Sequence, residues 1–203
     1  MTYDITPPVT PRMAVWPGDT PPTREVLCDL ARGDNFTLST LRATVHLGAH
    51  ADAPNHYGLG ARAMEGQRLD YYIGPCQVVH MSAKSKQQVS LPELRVKAPR
   101  LLLATGTYPD WESFNPDFAA YEPAFIDLLH EQGVKLIGID TPSIDLFDSK
   151  EMPSHKTVLR HDMAILEGLE LRDVPESVYE LIALPLKLVG FDASPVRAIL
   201  RTM

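Results

Sequence analysis

The feature that most constrains this chain is a dense group of histidines and one aspartate between Val45 and His56. His46, His50 and His56 are three of the seven histidines of the chain, and Asp52 lies among them. Imidazole nitrogens and a carboxylate, with no thiolate nearby, are the ligands that suit zinc and similar divalent ions. The group therefore predicts a metal or catalytic site rather than four unrelated polar side chains.

The spacing of this group is compatible with two local geometries. His46 and His50, at positions i and i+4, would share one face of a helix. However, Gly48, Pro54 and an alternating strand pattern before the group argue against a helix. We therefore predict an irregular loop that leaves a strand, with His50 and Asp52 on the same side because they are two residues apart.

A second group of titratable residues, His155, His161 and Glu167, follows later in the chain. On one continuous helix, His155 and Glu167 would point about 120° apart, because each residue turns about 100°. They can converge only if the helix ends near His161 and the chain turns back as a strand over Ala164–Leu166. The spacing alone leaves open a second interpretation, a longer helix with a solvated Glu167.

The remaining sequence excludes several classes of protein. A net charge of −7 argues against a nucleic-acid-binding surface. The first residues show no basic segment followed by an apolar one, which predicts a cytoplasmic protein. Cys28 and Cys76 form neither a CxxC motif nor a disulfide framework. The serine-hydrolase elbow and the glycine-rich nucleotide motifs are also missing.

Strand patterns outnumber helical ones along the chain, which predicts a mixed α/β domain with a strand-rich core. The length of 203 residues and the hydrophobic content of 44% fit one globular domain. The predicted helices are Tyr121–Gln132 and His155–His161. The predicted strands are Met13–Pro17, Asn35–His46 with one register break, Gln77–Met81, Arg100–Thr105, Val134–Asp140, Tyr179–Leu186 and Val196–Leu200.

The string His46-x3-His50-x-Asp52-x-Pro54-x-His56 resembles the signature of the cyclase-like metal-dependent hydrolases, and the resemblance covers essentially the whole chain. Within that family, the segments 15–19 and 184–197 resemble the bacterial kynurenine formamidase (arylformamidase) branch. The resemblance implies an α/β fold, a single strand-rich domain of the swivelling β/β/α type over residues 1–203. It also implies a homodimer.

The same resemblance implies a binuclear zinc site with two ions per subunit, in which Mn²⁺ is possible. His46, His50 and Asp52 would bind the first zinc, and Asp52 would also bridge to the second. His155 would bind the second zinc, and Glu167 would complete the shared set of ligands.

The reaction implied by the resemblance is the hydrolysis of N-formyl-L-kynurenine to L-kynurenine and formate in tryptophan degradation, with water activated by zinc. His56 matches the residue that transfers protons, and Trp16 matches the residue that contacts the aryl group of the substrate. His161 matches no ligand position and is left out of the predicted site.

Two other functions compete with this one. A related hydrolase of the same family could open a cyclic amide such as isatin, with manganese. A homologue that has lost catalysis could bind metal only, but such a protein would have no need of His56 beside the ligands. A nucleic-acid-binding domain is disfavoured by the acidic balance of the chain and its lack of a basic stripe.

Overall fold

One mixed β-sheet of nine strands organises the molecule, and the computed structural model describes residues 1–203. The two α-helices are α1 (Pro123–Glu131) and α2 (Pro153–Arg160). The strands are β1 (Thr2–Asp4), β2 (Thr23–Cys28), β3 (Leu38–Arg42), β4 (His50–Asp52), β5 (Ile73–His80), β6 (Gln88–Val89), β7 (Arg100–Ala104), β8 (Ala120–Tyr121), β9 (Leu136–Ile139), β10 (Ala164–Glu167), β11 (Ser177–Ile182), β12 (Ala193–Pro195) and β13 (Ile199–Thr202). Neither helix is long and apolar enough to cross a bilayer.

The order of strands in the large sheet is β1-β13-β11-β5-β7-β9-β10-β4-β12. The four central strands β5, β7, β9 and β10 run parallel to one another, and every other neighbouring pair is antiparallel. Parallel neighbours require crossover connections. Helix α1 lies in the connection from β7 to β9, and α2 lies in the connection from β9 to β10.

Strands β7, β9 and β10 are buried along their whole length because both faces of the sheet are covered. On β7, Leu101 and Leu103 pack into a core of 16 buried residues that includes the apolar side of α1. Leu102 and Ala104 alternate with them and pack into a second core of 23 buried residues on the opposite face. The sheet thus separates two cores, and only one of them is covered by helices.

The predictions for the helices and the central strands are confirmed. Both predicted helices are present, each displaced by one or two residues at its ends. The strands predicted over Gln77–Met81, Arg100–Thr105 and Val134–Asp140 correspond to β5, β7 and β9. These segments combine apolar side chains with burial on both faces, which gives the strongest strand pattern.

Outside the centre of the sheet the predictions are less accurate. The strand predicted over Met13–Pro17 is wrong, because this segment is a loop that ends in a turn. Only β3 forms within Asn35–His46, and the register shift of its ladder lies between Val26 and Cys28 of the partner strand. The tail strand predicted over Val196–Leu200 overlaps only the beginning of β13, and β12 precedes it.

Strands β2 and β3 form a two-stranded ribbon that pairs with no other strand. Every residue of β3 is exposed, and the ribbon carries large apolar side chains in contact with solvent. These side chains are Leu27, Leu30, Phe36, Leu38 and Leu41.

Candidate metal centre and adjoining cavity

Three of the candidate ligands are placed together by the pairing of β4 with β10. In this antiparallel pair His50 lies opposite Glu167, and Asp52 lies opposite Ile165. Residues that face each other across a ladder, and residues two apart on one strand, share a face of the sheet. His50, Asp52 and Glu167 therefore lie on the face of Ile165, which belongs to the core on the helical side.

The other two candidate ligands come from α2 and from the loop before β4. His155 is in the first half of α2, which ends at Arg160, and Asp162 turns the chain back towards β10 with a positive φ of 50°. The convergence of His155 and Glu167 thus occurs by the predicted route, and the longer helix with a solvated Glu167 is wrong. His46, predicted to end a strand that begins at Asn35, lies in an irregular loop. His50 and Asp52, predicted to lie in that loop, instead begin and end the short strand β4.

The side chains form two groups of donor atoms. In the first group, Nδ1 of His46 lies 3.1 Å from Oδ1 of Asp52, and Nε2 of His50 lies 3.4 Å from the same oxygen. Nε2 of His50 is also 3.2 Å from Oε2 of Glu167. Four donor atoms from four residues therefore face one another.

In the second group, Nε2 of His155 lies 3.4 Å from Oδ2 of Asp52 and 3.4 Å from Oε1 of Glu167. Each carboxylate thus presents one oxygen to each group. This arrangement is suited to two cations that share a pair of bridging carboxylates.

The candidate ligands offer donor atoms of the kinds that divalent cations bind, and several of these atoms lack a hydrogen-bond partner. Nε2 of His50 and both oxygens of Asp52 are buried without a hydrogen-bond partner. Buried polar atoms without partners are costly unless a ligand satisfies them. The groups His50–Asp52–Glu167 and His46–Asp52–His56 have the composition and spacing of metal-binding clusters.

The histidines and carboxylates of the centre shift one another's pKa values. Burial acts to lower the pKa of His50, but Asp52 and Glu167 outweigh it and raise that pKa to about 10. Burial acts to raise the pKa of Asp52, yet the three histidines His46, His155 and His50 hold it well below its usual range. The carboxylates are therefore anionic at neutral pH, and cations compete with protons for the imidazoles.

Each candidate histidine ligand is oriented by a contact through its other ring nitrogen. Nδ1 of His50 donates to the carbonyl of Gly48 at 2.9 Å, and Nδ1 of His155 donates to Oδ2 of Asp145 at 2.7 Å. Nε2 of His46 lies 3.1 Å from Oδ2 of Asp192. Such partners fix the tautomer and the orientation of an imidazole ligand. Sequence reasoning gave no role to Asp145 or Asp192, although Asp192 lies in the segment 184–197, which resembles the family.

The loop that carries the ligands passes very close to the end of β10. A Cβ atom on Gly168 would lie 2.1 Å from the carbonyl oxygen of Gly48, and Gly168 has a φ of +67°. Glycine is therefore required directly after Glu167, because only a residue without a side chain permits both the conformation and the contact.

His56 lies beside the donor groups, at the wall of a cavity of about 480 Å³. It is the last residue of a short 3₁₀ turn, Pro54–His56, and its side chain is about one-third exposed. Its ring centroid is 4.4 Å from that of His46, and its Nδ1 lies 3.5 Å from Oδ2 of Asp192. His56 is thus both close to the candidate ligands and accessible from the cavity.

Trp16 lines the same cavity, together with aromatic side chains that sequence reasoning missed. Its ring centroid is 5.6 Å from that of Phe114 and 5.0 Å from that of Phe147. These residues come from three distant segments, so local sequence patterns give no signal that they meet. Together they form an aromatic wall that suits a flat apolar ring.

His161 is not part of the centre, in agreement with its exclusion from the predicted site. Its Nε2 lies 2.6 Å from Oδ1 of Asp127, and its ring stacks on that of His130 with centroids 4.0 Å apart.

The fold and the site define the class of the protein: a single-domain, strand-rich α/β protein with a buried centre for metal ions beside an aromatic cavity. The chain belongs to the Cyclase family, whose model matches residues 3–146. It is 47% identical to a kynurenine formamidase of Bordetella petrii over 206 aligned positions, which cover 99% of this chain and 98% of the relative.

Solved structures agree with this assignment. A structure described as a potential metal-dependent hydrolase with cyclase activity shares 29% identity and superposes with a TM-score of 0.85, covering 98% of this chain and 96% of the other. Isatin hydrolase A of Labrenzia aggregata reaches the same TM-score at 20% identity, covering 100% of this chain and 94% of that one. At that identity the likeness shows the fold alone.

Proposed function

We propose that this protein is a metal-dependent formamidase that hydrolyses N-formyl-L-kynurenine to L-kynurenine and formate. The observation that carries the proposal is the pair of donor groups, bridged by Asp52 and Glu167, that adjoins an aromatic-walled cavity. The kynurenine formamidase of Bordetella petrii, which matches nearly the whole chain, supports the choice of substrate.

In this proposal five residues hold two divalent ions. His46 and His50 would hold the first ion and His155 the second, while Asp52 and Glu167 would complete the shared set of ligands. When bound, such ions lower the pKa of a water molecule and polarise a carbonyl group. Asp145, Asp192 and the carbonyl of Gly48 hold the three imidazoles in the tautomers that ligation needs.

His56 moves the proton that the reaction requires. It takes a proton from the attacking water and returns it to the aniline nitrogen as the C–N bond breaks, so that the free amine and formic acid leave. The acid then loses the second proton of the water to solvent and becomes formate. An imidazole can accept and return a proton near neutral pH. Asp192, which lies close to Nδ1 of His56, favours the tautomer in which Nε2 is the proton acceptor.

Trp16 and the neighbouring Phe114 and Phe147 bind the aryl ring of the substrate. A ring held by aromatic neighbours has a fixed orientation, and the formamide nitrogen is attached directly to it. Binding the ring therefore also positions the bond that is cleaved.

The finer details of the proposal concern the metal, the assembly and the compartment. We assign zinc as the metal, with two ions per chain, because nitrogen and carboxylate donors suit it. Mn²⁺ also fits this site, because it binds the oxygens of carboxylates such as Asp52 and Glu167.

Residues 1–203 act as one cyclase-like metal hydrolase domain, and the chain is a homodimer. The two cysteines are free thiols, which supports a reducing, cytoplasmic location.

A turnover assay tests the proposed function. The purified protein is assayed with N-formyl-L-kynurenine and with isatin, before and after chelation and after addition of Zn²⁺ or Mn²⁺. We expect hydrolysis of the formamide, its loss on chelation and its recovery with added metal, and about two ions per chain by metal analysis. Full activity of a metal-free protein would overturn the mechanism, and turnover of isatin alone would overturn the substrate.

A further inference from the structure

The cavity has an unbalanced set of charged side chains. Its lining includes the carboxylate of Asp19, in addition to the buried acidic groups at the metal centre, but it includes no lysine or arginine. N-formyl-L-kynurenine carries an α-ammonium and an α-carboxylate on the chain next to its formamide. Asp19 can bind the ammonium, whereas the cavity offers neither a lysine nor an arginine to the carboxylate.

Asp19 is held in a fixed relation to Trp16. The N–H of Asp19 donates to the carbonyl of Trp16 at 2.9 Å, which closes a turn over Pro17 and Gly18. Gly18 has a φ of +94°, as the third residue of a type II turn requires. The first and last Cα atoms of such a turn lie within about 7 Å of each other. The indole and the carboxylate thus belong to one turn at the cavity.

One carboxylate oxygen of Asp19 remains available for a ligand. Oδ1 accepts from the N–H of Thr20 at 2.6 Å, which leaves Oδ2 free of that contact. Asp19 is exposed, whereas the carboxylates of the metal centre are buried. It therefore lies at the edge of the cavity in contact with water.

We propose that Asp19 binds the α-ammonium group of the substrate and that this contact makes the enzyme prefer cationic side chains on the aryl formamide. The inference rests on the proposed function. Four covalent bonds separate the aryl ring from the ammonium nitrogen, so the ammonium of a substrate whose ring lies on Trp16 can reach a neighbouring side chain of the same turn. The α-carboxylate then lies towards water, where it needs no cationic partner.

The variant Asp19→Asn tests this role with three substrates. Asparagine keeps the oxygen that accepts from Thr20, so the turn is retained and only the charge is lost. The substrates are N-formyl-L-kynurenine, the neutral 2-formamidoacetophenone, and 4-(2-formamidophenyl)-4-oxobutanoate, which keeps the carboxylate but lacks the ammonium.

We expect the KM for N-formyl-L-kynurenine to rise about fivefold with little change in kcat, which corresponds to about 1 kcal/mol, the upper end for an ion pair open to water. The KM for the neutral formamide should not change. The KM for the anionic analogue should fall, because a repulsive carboxylate has been removed. Asp173→Asn, which removes an exposed carboxylate outside this cavity, is the matched control and should leave all three values unchanged.

Two results are decisive against the proposal. If the three KM values of Asp19→Asn stay at wild-type level or change by a common factor, the role of Asp19 is overturned while the proposed function stands. If the metal-loaded wild-type enzyme does not hydrolyse N-formyl-L-kynurenine, the proposed function fails and this inference fails with it.

Discussion

Asp145 is a residue through which the proposed metal centre can be perturbed without removing a proposed ligand. Its carboxylate is 3% exposed and accepts three hydrogen bonds. Oδ1 accepts from the N–H of Ser154 at 3.0 Å, and Oδ2 accepts from the N–H of His155 at 3.0 Å and from its Nδ1 at 2.7 Å. One side chain therefore caps the first turn of α2 and orients the imidazole of His155.

The substitution Asp145→Asn leaves the shape of this side chain nearly unchanged and removes one acceptor. The amide has a single oxygen, so in either orientation at least one buried donor of Ser154 or His155 faces an NH₂ group. A buried donor without an acceptor costs about 1–3 kcal/mol. Loss of such an outer partner of a histidine ligand typically weakens metal binding about 10- to 100-fold. That factor corresponds to about 1.4–2.7 kcal/mol, so the two magnitudes agree.

Competition with a chromophoric chelator measures the affinity for Zn²⁺ directly, without reference to activity. We expect Asp145→Asn to bind Zn²⁺ about 10- to 100-fold more weakly than the wild type while its far-UV circular dichroism is unchanged. Asp148→Asn is the matched control, because Asp148 is exposed and its nearest cation, Lys86, is 3.7 Å away. Wild-type affinity in Asp145→Asn would refute the reasoning, since neither the charge of Asp145 nor its lost acceptor oxygen would then contribute to ligation.

Three further predictions concern the proposed proton-transfer residue His56, the aromatic wall and the effect of pH. His56→Ala should keep its metal content but lose about 10²- to 10⁴-fold in kcat; unchanged turnover would refute its role. Trp16→Ala should raise KM several-fold with a smaller effect on kcat, because loss of an aromatic contact costs about 0.5–1.5 kcal/mol; unaltered kinetics would leave Trp16 as a packing residue. In the metal-free protein the pKa of His50 is about 10, whereas its pKa in the unfolded chain is about 6.5. Protonated His50 therefore stabilises the fold fully below pH 6.5, and this contribution to stability is lost as the pH rises through 10. The Tm of the metal-free protein should therefore fall between pH 6.5 and 10, and the gain in Tm on adding Zn²⁺ should grow over the same range; a constant gain would contradict the competition between protons and metal.

The local part of the site could be predicted because it depends on short-range geometry. His50 and Asp52 share a side since they are two residues apart in an extended segment, and Gly48 with Pro54 excludes a helix. The central strands were found for a similar reason, because burial on both faces leaves a continuous apolar run such as that of β7.

The outer segments could not be predicted because their conformation depends on contacts with distant residues. The segment 13–17 has a strand-like composition, yet Ala14 bonds to the backbone of Trp111 in a loop rather than to a strand of the sheet. The leucines of the β2–β3 ribbon produce the sequence pattern of a buried strand, although they are exposed to solvent. Alternation of apolar and polar residues identifies an extended segment, but it does not show whether another part of the chain packs on its apolar side.

The sequence by itself determined that a functional site is present, since the residue types and their spacing around Asp52 predict a metal or catalytic site. Tertiary structure decided which distant residues complete it. Asp192 lies 146 residues from His46, and Glu167 meets His50 only through the register of β10 against β4. The physical reason is that side-chain spacing along one segment is fixed by local backbone geometry, whereas the meeting of segments is fixed by sheet pairing and by helix packing on the sheet, which no local pattern contains.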